Sequence, residues 1–148
     1  MNKSNLFVIL GNQLYNPKLY LKDYNDCDFF MSEDYYLCST HLHHKFKILH
    51  CLSAMRSYKD ELVKLGKKVH YFGIENDAFY DDYLIKLLKC VKKDNYEKIF
   101  IFEIEDKNFE KKIKELCNEI EIIFVQSPSF IFSRDAFQSI FTEVSEEL

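Results

Sequence analysis

Residues 6–14 read LFVILGNQL, a run of five apolar residues that ends in glycine and two amides. An unbroken apolar run that stops at glycine is typical of a parallel strand buried on both faces. Gly11 allows a sharp turn and a close approach of backbone N–H groups to a ligand. The amides of Asn12 and Gln13 can donate and accept, so they can read the edge of a heteroaromatic ring. The stretch predicts the first strand of an open α/β sheet with either a binding turn or a solvated tight turn at its end.

Four more short apolar runs follow, and they alternate with helical patterns. The further predicted strands are 28–31, 69–72, 99–102 and 122–125. The predicted helices are 17–21, 48–65, 84–91 and 109–120. This alternation predicts an α/β fold: a five-stranded parallel sheet in the order 3-2-1-4-5, with helices on both faces, as in half of a Rossmann-like fold.

Helix ends can be read from a few residues. Gly66 is expected to end the long helix, and Asn76 or Asp77 to begin the next one. Asn108 is expected to cap the third amphipathic helix. Residues after Ser133 have helical character, but the pattern does not place a helix there.

Composition favours one domain over residues 1–148. A hydrophobic fraction of 47% can fill a core, and a net charge of −4 gives no general attraction to nucleic acid or anionic membranes. We therefore expect no strong direct DNA binding. No apolar run approaches the roughly 20 residues that span a bilayer, and residues 1–4 lack a signal-peptide pattern. A cytoplasmic location is expected.

Cysteine usage agrees with that location. The 5 cysteines are widely spaced and form no CxxC pair. An odd number at such spacing suggests neither a disulfide framework nor a metal cluster, so reduced and mostly buried thiols are expected. The residues are Cys27, Cys38, Cys51, Cys90 and Cys117.

The predicted topology places a ligand site at one sheet edge. In open α/β sheets, ligands bind outside the carboxyl ends of the strands where the strand order reverses, here between strands 1 and 4. Residues 11–13 arrive there from strand 1, Glu103 from strand 4 and Glu33 from strand 2. The start of the long helix, near 43–48, should emerge at the same edge.

Neither a catalytic set nor a metal site is predicted. The histidines at 41, 43, 44 and 50 have no carboxylate or thiolate partner at ligand spacing. The chain contains no GxGxxG, no GxxxxGK[ST] and no GxSxG motif. Basic residues of the long helix are interpreted as a solvated outer face with acidic partners. They are Lys45, Lys47, Arg56, Lys59 and Lys64, with Asp60 and Glu61 as partners.

Four segments together resemble a known family. They are 9–14 (ILGNQL), 31–33 (MSE), 43–48 (HHKFKI) and 53–56 (SAMR). In order and spacing they resemble the amino-terminal domain of the photolyase-related proteins, the bacterial photolyase and cryptochrome group that carries an iron–sulfur cluster. Asn12 stands where that family usually has aspartate.

The resemblance implies an antenna-type domain that holds a ribityllumazine or a flavin-like chromophore. At the predicted sheet edge, the residues expected to hold it are Gly11, Asn12, Gln13, Glu33, His44, Lys45, Ile48 and Glu103. The amide turn would read the ring, the two glutamates would accept from hydroxyls, and Ile48 would give apolar contact. His44 and Lys45 would cover one side.

In that family a helical domain follows and holds FAD, the cluster and the DNA lesion. This chain ends at residue 148, so FAD and the cluster are not expected in it, and light-driven DNA repair or photoreception would need a helical FAD partner. A truncated protein, a split-gene product and a stand-alone relative are all compatible with that end. Two other functions stay open: an enzyme on a nucleotide-like small molecule with Glu33 or His44 as acid or base, and a ligand-free domain that docks to a flavoprotein.

Overall fold

A five-stranded parallel sheet forms the centre of the molecule. The computed structural model describes residues 4–116 and 119–146. The strand order is β3-β2-β1-β4-β5, and every pair is parallel, so the predicted fold class and order are confirmed. The strands are β1 (Asn5–Val8), β2 (Cys27–Ser32), β3 (Val69–Phe72), β4 (Lys98–Phe102) and β5 (Glu121–Val125).

Helices connect the strands. They are α1 (Pro17–Tyr20), α2 (Tyr35–Ser39), α3 (Lys45–Lys64), α4 (Tyr83–Asp94), α5 (Lys107–Glu115) and α6 (Arg134–Glu146), with a 3-10 turn at Asp77–Tyr80. Within the described ranges, no helix combines the length and apolar character needed to cross a membrane.

The apolar run of β1 is buried on both faces. Leu6 and Val8 pack into a cluster with side chains of α4 and α5. Phe7 and Ile9 point to the other face, where they pack into a cluster with side chains of α3. Successive strand residues alternate between faces, so a central strand covered on both sides must be apolar throughout.

Two helix starts differ from the prediction. Asp82 begins α4 by accepting from the Leu84 amide, because Asn76 instead caps the separate 3-10 turn. Asp106 begins α5 and accepts from two backbone amides, one of them that of Asn108, the residue predicted to be the cap. In both cases an aspartate beside the first turn supplies the acceptor.

The predicted end of the long helix is confirmed, and the predicted end of the third amphipathic helix is wrong. Gly66 has φ of 74° directly after α3, which confirms it as the residue that ends the long helix. The third amphipathic helix ends at Glu115. Ile120 therefore lies beyond the helix, and its side chain is buried from a position in the turn before β5. Helix α2 was missed because none of its residues is buried, so no apolar stripe marks it.

Candidate functional site

A cavity of about 390 Å³ opens at the carboxyl edge of the sheet. The ends of β1 and β2, the segment after β4 and the first turns of α3 form its walls. This is the edge that the topology predicted. Most wall side chains are apolar, including Leu10, Ile48, Leu52, Met55, Ile104 and Phe109.

Gly11 forms the wall where the turn after β1 meets α3. A Cβ added at this position would lie 2.9 Å from Sδ of Met55. That separation is well inside van der Waals contact, so any larger residue would push the Met55 side chain away. Glycine therefore lets α3 pack directly on the turn that forms the cavity edge.

Four of the predicted site residues line the cavity: Gly11, Asn12, Glu33 and Ile48. Of the two amides, only that of Asn12 is at the cavity, and its Nδ2 donates to Oε2 of Glu105 at 3.3 Å.

The other four lie outside the cavity wall. Gln13 is 1% exposed, and its Nε2 donates to the backbone carbonyl of Glu103 at 3.0 Å, which ties the end of β1 to the end of β4. The His44 ring caps α3 by accepting from the Phe46 amide. Lys45 follows at the first position of the helix and is exposed. Gln13 therefore contributes to the frame of the sheet edge, whereas His44 and Lys45 belong to the start of α3.

The carboxylate of Glu33 is fully engaged within the protein. Its oxygens accept from Arg56 Nε at 2.6 Å and Nη2 at 2.9 Å, from the Tyr71 hydroxyl and from the Ile74 amide at 2.7 Å. Burial alone would raise the pKa of Glu33, but these hydrogen bonds outweigh it and lower the pKa below its usual value. Glu33 therefore stays ionised, and its acceptor positions are taken by protein donors.

This contact corrects the interpretation of Arg56 as part of a solvated helix face. Arg56 holds Glu33 on one side and Glu75 at 3.0 Å on the other. An Arg–carboxylate pair with two parallel bonds fixes both side chains. The pair joins α3 to the ends of β2 and β3 beside the cavity.

A second ion pair, in which both side chains are buried, lies at the next residue of the same edge. Nζ of Lys86, on α4, lies 2.9 Å from Oδ2 of Asp34 and 3.1 Å from the Glu33 carbonyl oxygen. The Lys86 side chain is 0% exposed and that of Asp34 is 2% exposed. The other Asp34 oxygen accepts from the amides of Tyr36 and Leu37 and begins α2. The charge at this end of the cavity is thus neutralised internally.

Tyr83 forms part of the cavity wall at the start of α4. Its ring makes edge-to-face contacts with Phe30 and Phe109, at centroid distances of 5.7 Å and 5.5 Å. Its hydroxyl is buried and has no hydrogen-bond partner among the described residues. Burial, with the nearby charge of Asp34, raises the pKa of Tyr83, so the phenol stays protonated.

Sequence reasoning missed Arg56, Asp34, Lys86 and Tyr83 as parts of this site. One signal was present: Lys86 and Tyr83 lie on the buried side of α4 with Leu87 and Cys90. A lysine inside an apolar stripe needs a buried partner. Asp34 is the second acidic residue at the end of β2, at the edge where that partner is needed.

Glu103 faces away from the cavity and helps to hold α6. Its Oε2 accepts from the Ser127 amide at 3.3 Å, and its Oε1 lies 3.4 Å from Arg134 Nε. The same arginine donates to both carboxylate oxygens of Glu110 at 2.8 Å and to the Ile104 carbonyl at 3.0 Å. Arg134 therefore anchors the start of α6 to the sheet edge.

This anchor predicts an acid-dependent loss of stability. The hydrogen bonds from Arg134 lower the pKa of Glu110 from 4.5 to about 2. A lowered pKa in the folded state gives stability that is complete above pH 4.5 and is lost as the pH falls toward 2. Glu110→Gln should cost roughly 1.5–3 kcal/mol at neutral pH and should flatten the pH dependence in this window, as measured by urea unfolding. Glu115→Gln, an exposed change on the same helix, should do neither; equal curves for both variants would contradict the prediction.

Within the described part of the chain, the histidines and cysteines form no candidate metal site. In ranges 4–116 and 119–146, no three His, Cys, Asp or Glu side chains are grouped so that they could hold a metal ion. Cys27 and Cys90 are buried, whereas Cys38 is half-buried and Cys51 exposed, so the expectation of mostly buried thiols is only partly met. Cys117 lies outside the described residues.

Comparison with known proteins gives a family match. The family model described as deoxyribodipyrimidine photo-lyase-related protein matches residues 7–147, which is nearly the whole chain. No curated protein matches the chain.

Proposed function

The chain belongs to the deoxyribodipyrimidine photo-lyase-related protein family, and from this premise we propose that it binds a fused-ring chromophore, a ribityllumazine or a flavin. The observation that carries the proposal is the apolar cavity of about 390 Å³ at the sheet edge. Sites for small planar ligands are typically mostly apolar clefts of about 300–1,000 Å³ with a few polar groups.

The cavity residues suit a flat, uncharged ring. Ile48 and Leu52 on α3 line the cavity together with Ile104 and Phe109, so more than one element of the fold supplies apolar surface to it. The carboxylates of Glu33 and Asp34 at this edge are paired with Arg56 and Lys86, so neither of these two charges opposes burial of a neutral ring beside them. The Asn12 amide is a polar group that can contact the ligand at the edge.

The residues of this chain would hold the ring and exclude water. Gly11 and Met55 close one wall, and the Arg56–Glu33 pair keeps the ends of β2 and α3 together. A bound lumazine or flavin would supply light absorption. The excitation would pass to FAD in a helical unit, in the same polypeptide or in a separate one, for DNA repair or photoreception.

Ligand titration with a matched pair of variants tests the proposal. Ile48 lines the cavity, whereas its neighbour Leu49 is 60% exposed and does not. Ile48→Asp puts a charge into the apolar wall and should weaken binding of riboflavin or 6,7-dimethyl-8-ribityllumazine at least about tenfold. Leu49→Asp should leave affinity unchanged. Fluorescence titration gives the dissociation constants.

Two outcomes would contradict chromophore binding. One is wild-type binding of both rings weaker than about millimolar. The other is equal loss of affinity in both variants, which would place the ring elsewhere.

Docking without a ligand is the second candidate function, and exposed apolar side chains favour it. Ile131, Phe132 and Phe137 are 92%, 59% and 60% exposed near the start of α6. Exposed apolar groups in one short segment are typical of interaction surfaces. A colourless protein that forms a stable complex with a purified helical FAD-binding unit would support this function over the first.

The enzyme alternative receives less support from the geometry. The Glu33 carboxylate is ionised and bonded to Arg56, so it is poorly placed to give a proton to a ligand. His44 caps α3 and does not line the cavity.

A further inference from the structure

We propose that the Tyr83 hydroxyl donates a hydrogen bond to a carbonyl oxygen of the ring bound in the cavity. This makes Tyr83 a specificity residue: the site would select a heteroaromatic ring with an acceptor on its inward edge over an aromatic ring of similar size without one. The inference rests on the proposed function and adds to it the chemical group that the buried end of the site recognises.

The first observation is the lack of a partner for a buried donor. Tyr83 is 5% exposed, and its hydroxyl has no hydrogen bond among the described residues. Burying a hydroxyl without a partner typically costs about 1–3 kcal/mol. Because the side chain forms part of the cavity wall, a ligand in the cavity can supply the missing acceptor.

The second observation is that the polar groups around Tyr83 are already engaged. Ser32 Oγ donates to the Glu33 carbonyl at 2.9 Å. Asp34 Oδ1 accepts from two backbone amides, and Asp34 Oδ2 has no hydrogen bond among the described residues but forms an ion pair with Lys86 Nζ at 2.9 Å. Asp106 accepts from two amides at the start of α5. Tyr83 is therefore a buried donor without a protein partner in the cavity wall, where the neighbouring carboxylates already have partners.

The third observation is that the phenol is held in place and protonated. Phe30 and Phe109 contact the Tyr83 ring edge to face, which restricts its rotation. The raised pKa keeps the hydroxyl proton in place at neutral pH. An ordered donor loses little entropy when it binds an acceptor, which favours selectivity.

Tyr83→Phe is the central test, because it removes the hydroxyl and keeps the ring. The probes are riboflavin and 6,7-dimethyl-8-ribityllumazine, which carry ring carbonyls, and naphthalene, which carries none. The variant should raise the dissociation constants of the first two by about 10- to 100-fold and leave that of naphthalene unchanged. Tyr80→Phe, at a phenol that is 75% exposed and outside the cavity, is the matched control and should change none of them.

Thermal unfolding without ligand gives a second readout. If the hydroxyl has no protein partner, Tyr83→Phe should keep or slightly raise the melting temperature of the free protein. A drop of several degrees would show that the hydroxyl is bonded within the protein and would overturn the inference.

The titrations separate this inference from the proposed function. If both ring ligands bind the wild type and Tyr83→Phe equally well, the role of Tyr83 is wrong and chromophore binding stands. If the variant weakens naphthalene as much as the carbonyl ligands, Tyr83 shapes the cavity and recognises no acceptor. If no ring binds the wild type, both proposals fall.

Discussion

Lys86→Ala should destabilise the protein by about 3–5 kcal/mol, because it leaves the Asp34 carboxylate buried without its cation. The Lys86 side chain is 0% exposed, and its Nζ contacts both Asp34 and the Glu33 carbonyl. The variant thus removes the counter-charge and a hydrogen bond from the end of β2. Urea unfolding followed by circular dichroism measures the loss.

Lys89→Ala is the matched control on the same helix. Lys89 pairs with Asp81 at 2.8 Å, but its side chain is 66% exposed. Exposed ion pairs contribute about 0–1 kcal/mol, so this variant should cost little. If Lys86→Ala costs no more stability than Lys89→Ala, Lys86 and Asp34 do not form a buried ion pair.

A double variant separates the contribution of the Lys86–Asp34 ion pair to stability from that of the packing of the lysine methylene groups. Asp34→Asn keeps an oxygen that can accept from the α2 amides, and Lys86→Met keeps most of the volume. With both charges removed, the double variant should be more stable than either single variant, because no unpaired charge remains buried. If the effects simply add, the two charges do not interact.

The fold could be predicted because its strands and helices leave a regular spacing of apolar residues in the sequence. Residues 6–10 are apolar without a break since both faces of a central strand are buried, and the sequence displays that directly. Gly66 marks the end of α3 because its positive φ favours glycine. Alternation of strands and helices then leaves few topologies with right-handed crossovers.

The position of the cavity at the sheet edge followed from the topology, but the contacts around it did not. Glu33 was correctly placed at the sheet edge, yet its partners Arg56, Tyr71 and Ile74 lie 23 to 41 residues away along the chain. Periodicity shows which face of a helix is buried and contains no information about which charge on another element it will meet. Only the structure therefore reveals the four protein donors that bond to the Glu33 carboxylate.

The misplaced helix caps show a more local limit. Asn108 and Asp106 are both good caps, and the choice between them depends on where the chain enters the helix from β4. Helix α2 shows the same limit, since it is set by the Asp34 cap and has no buried residue of its own. The starts of α5 and α2 depend on how the chain leaves the sheet edge, and the local sequence does not show this.

Met55→Ala should destabilise the protein by about 2–5 kcal/mol, the range for truncating a buried methionine. Met55 is 5% exposed and packs with Phe7, Ile9 and Leu62 on the α3 side of the sheet. It also lines the cavity, so truncation enlarges an existing space that the surrounding structure cannot easily fill. Val63→Ala, on the same helix and 53% exposed, should cost far less. A loss under about 0.5 kcal/mol for Met55→Ala would contradict the orientation of α3.

Gly11→Ala makes that prediction specific to one contact. In the wild type, the new methyl group would lie 2.9 Å from Met55 Sδ and should cost about 1–3 kcal/mol through overpacking. In the Met55→Ala background the sulfur is gone, so the methyl group enters the space it leaves and the cost should largely disappear. The double-mutant cycle should therefore show a favourable coupling of about 1 kcal/mol or more, from urea unfolding of the four proteins. Additive losses would mean that the turn after β1 and helix α3 do not pack against each other at this point. Gly11 and Met55 would then not form the cavity wall together.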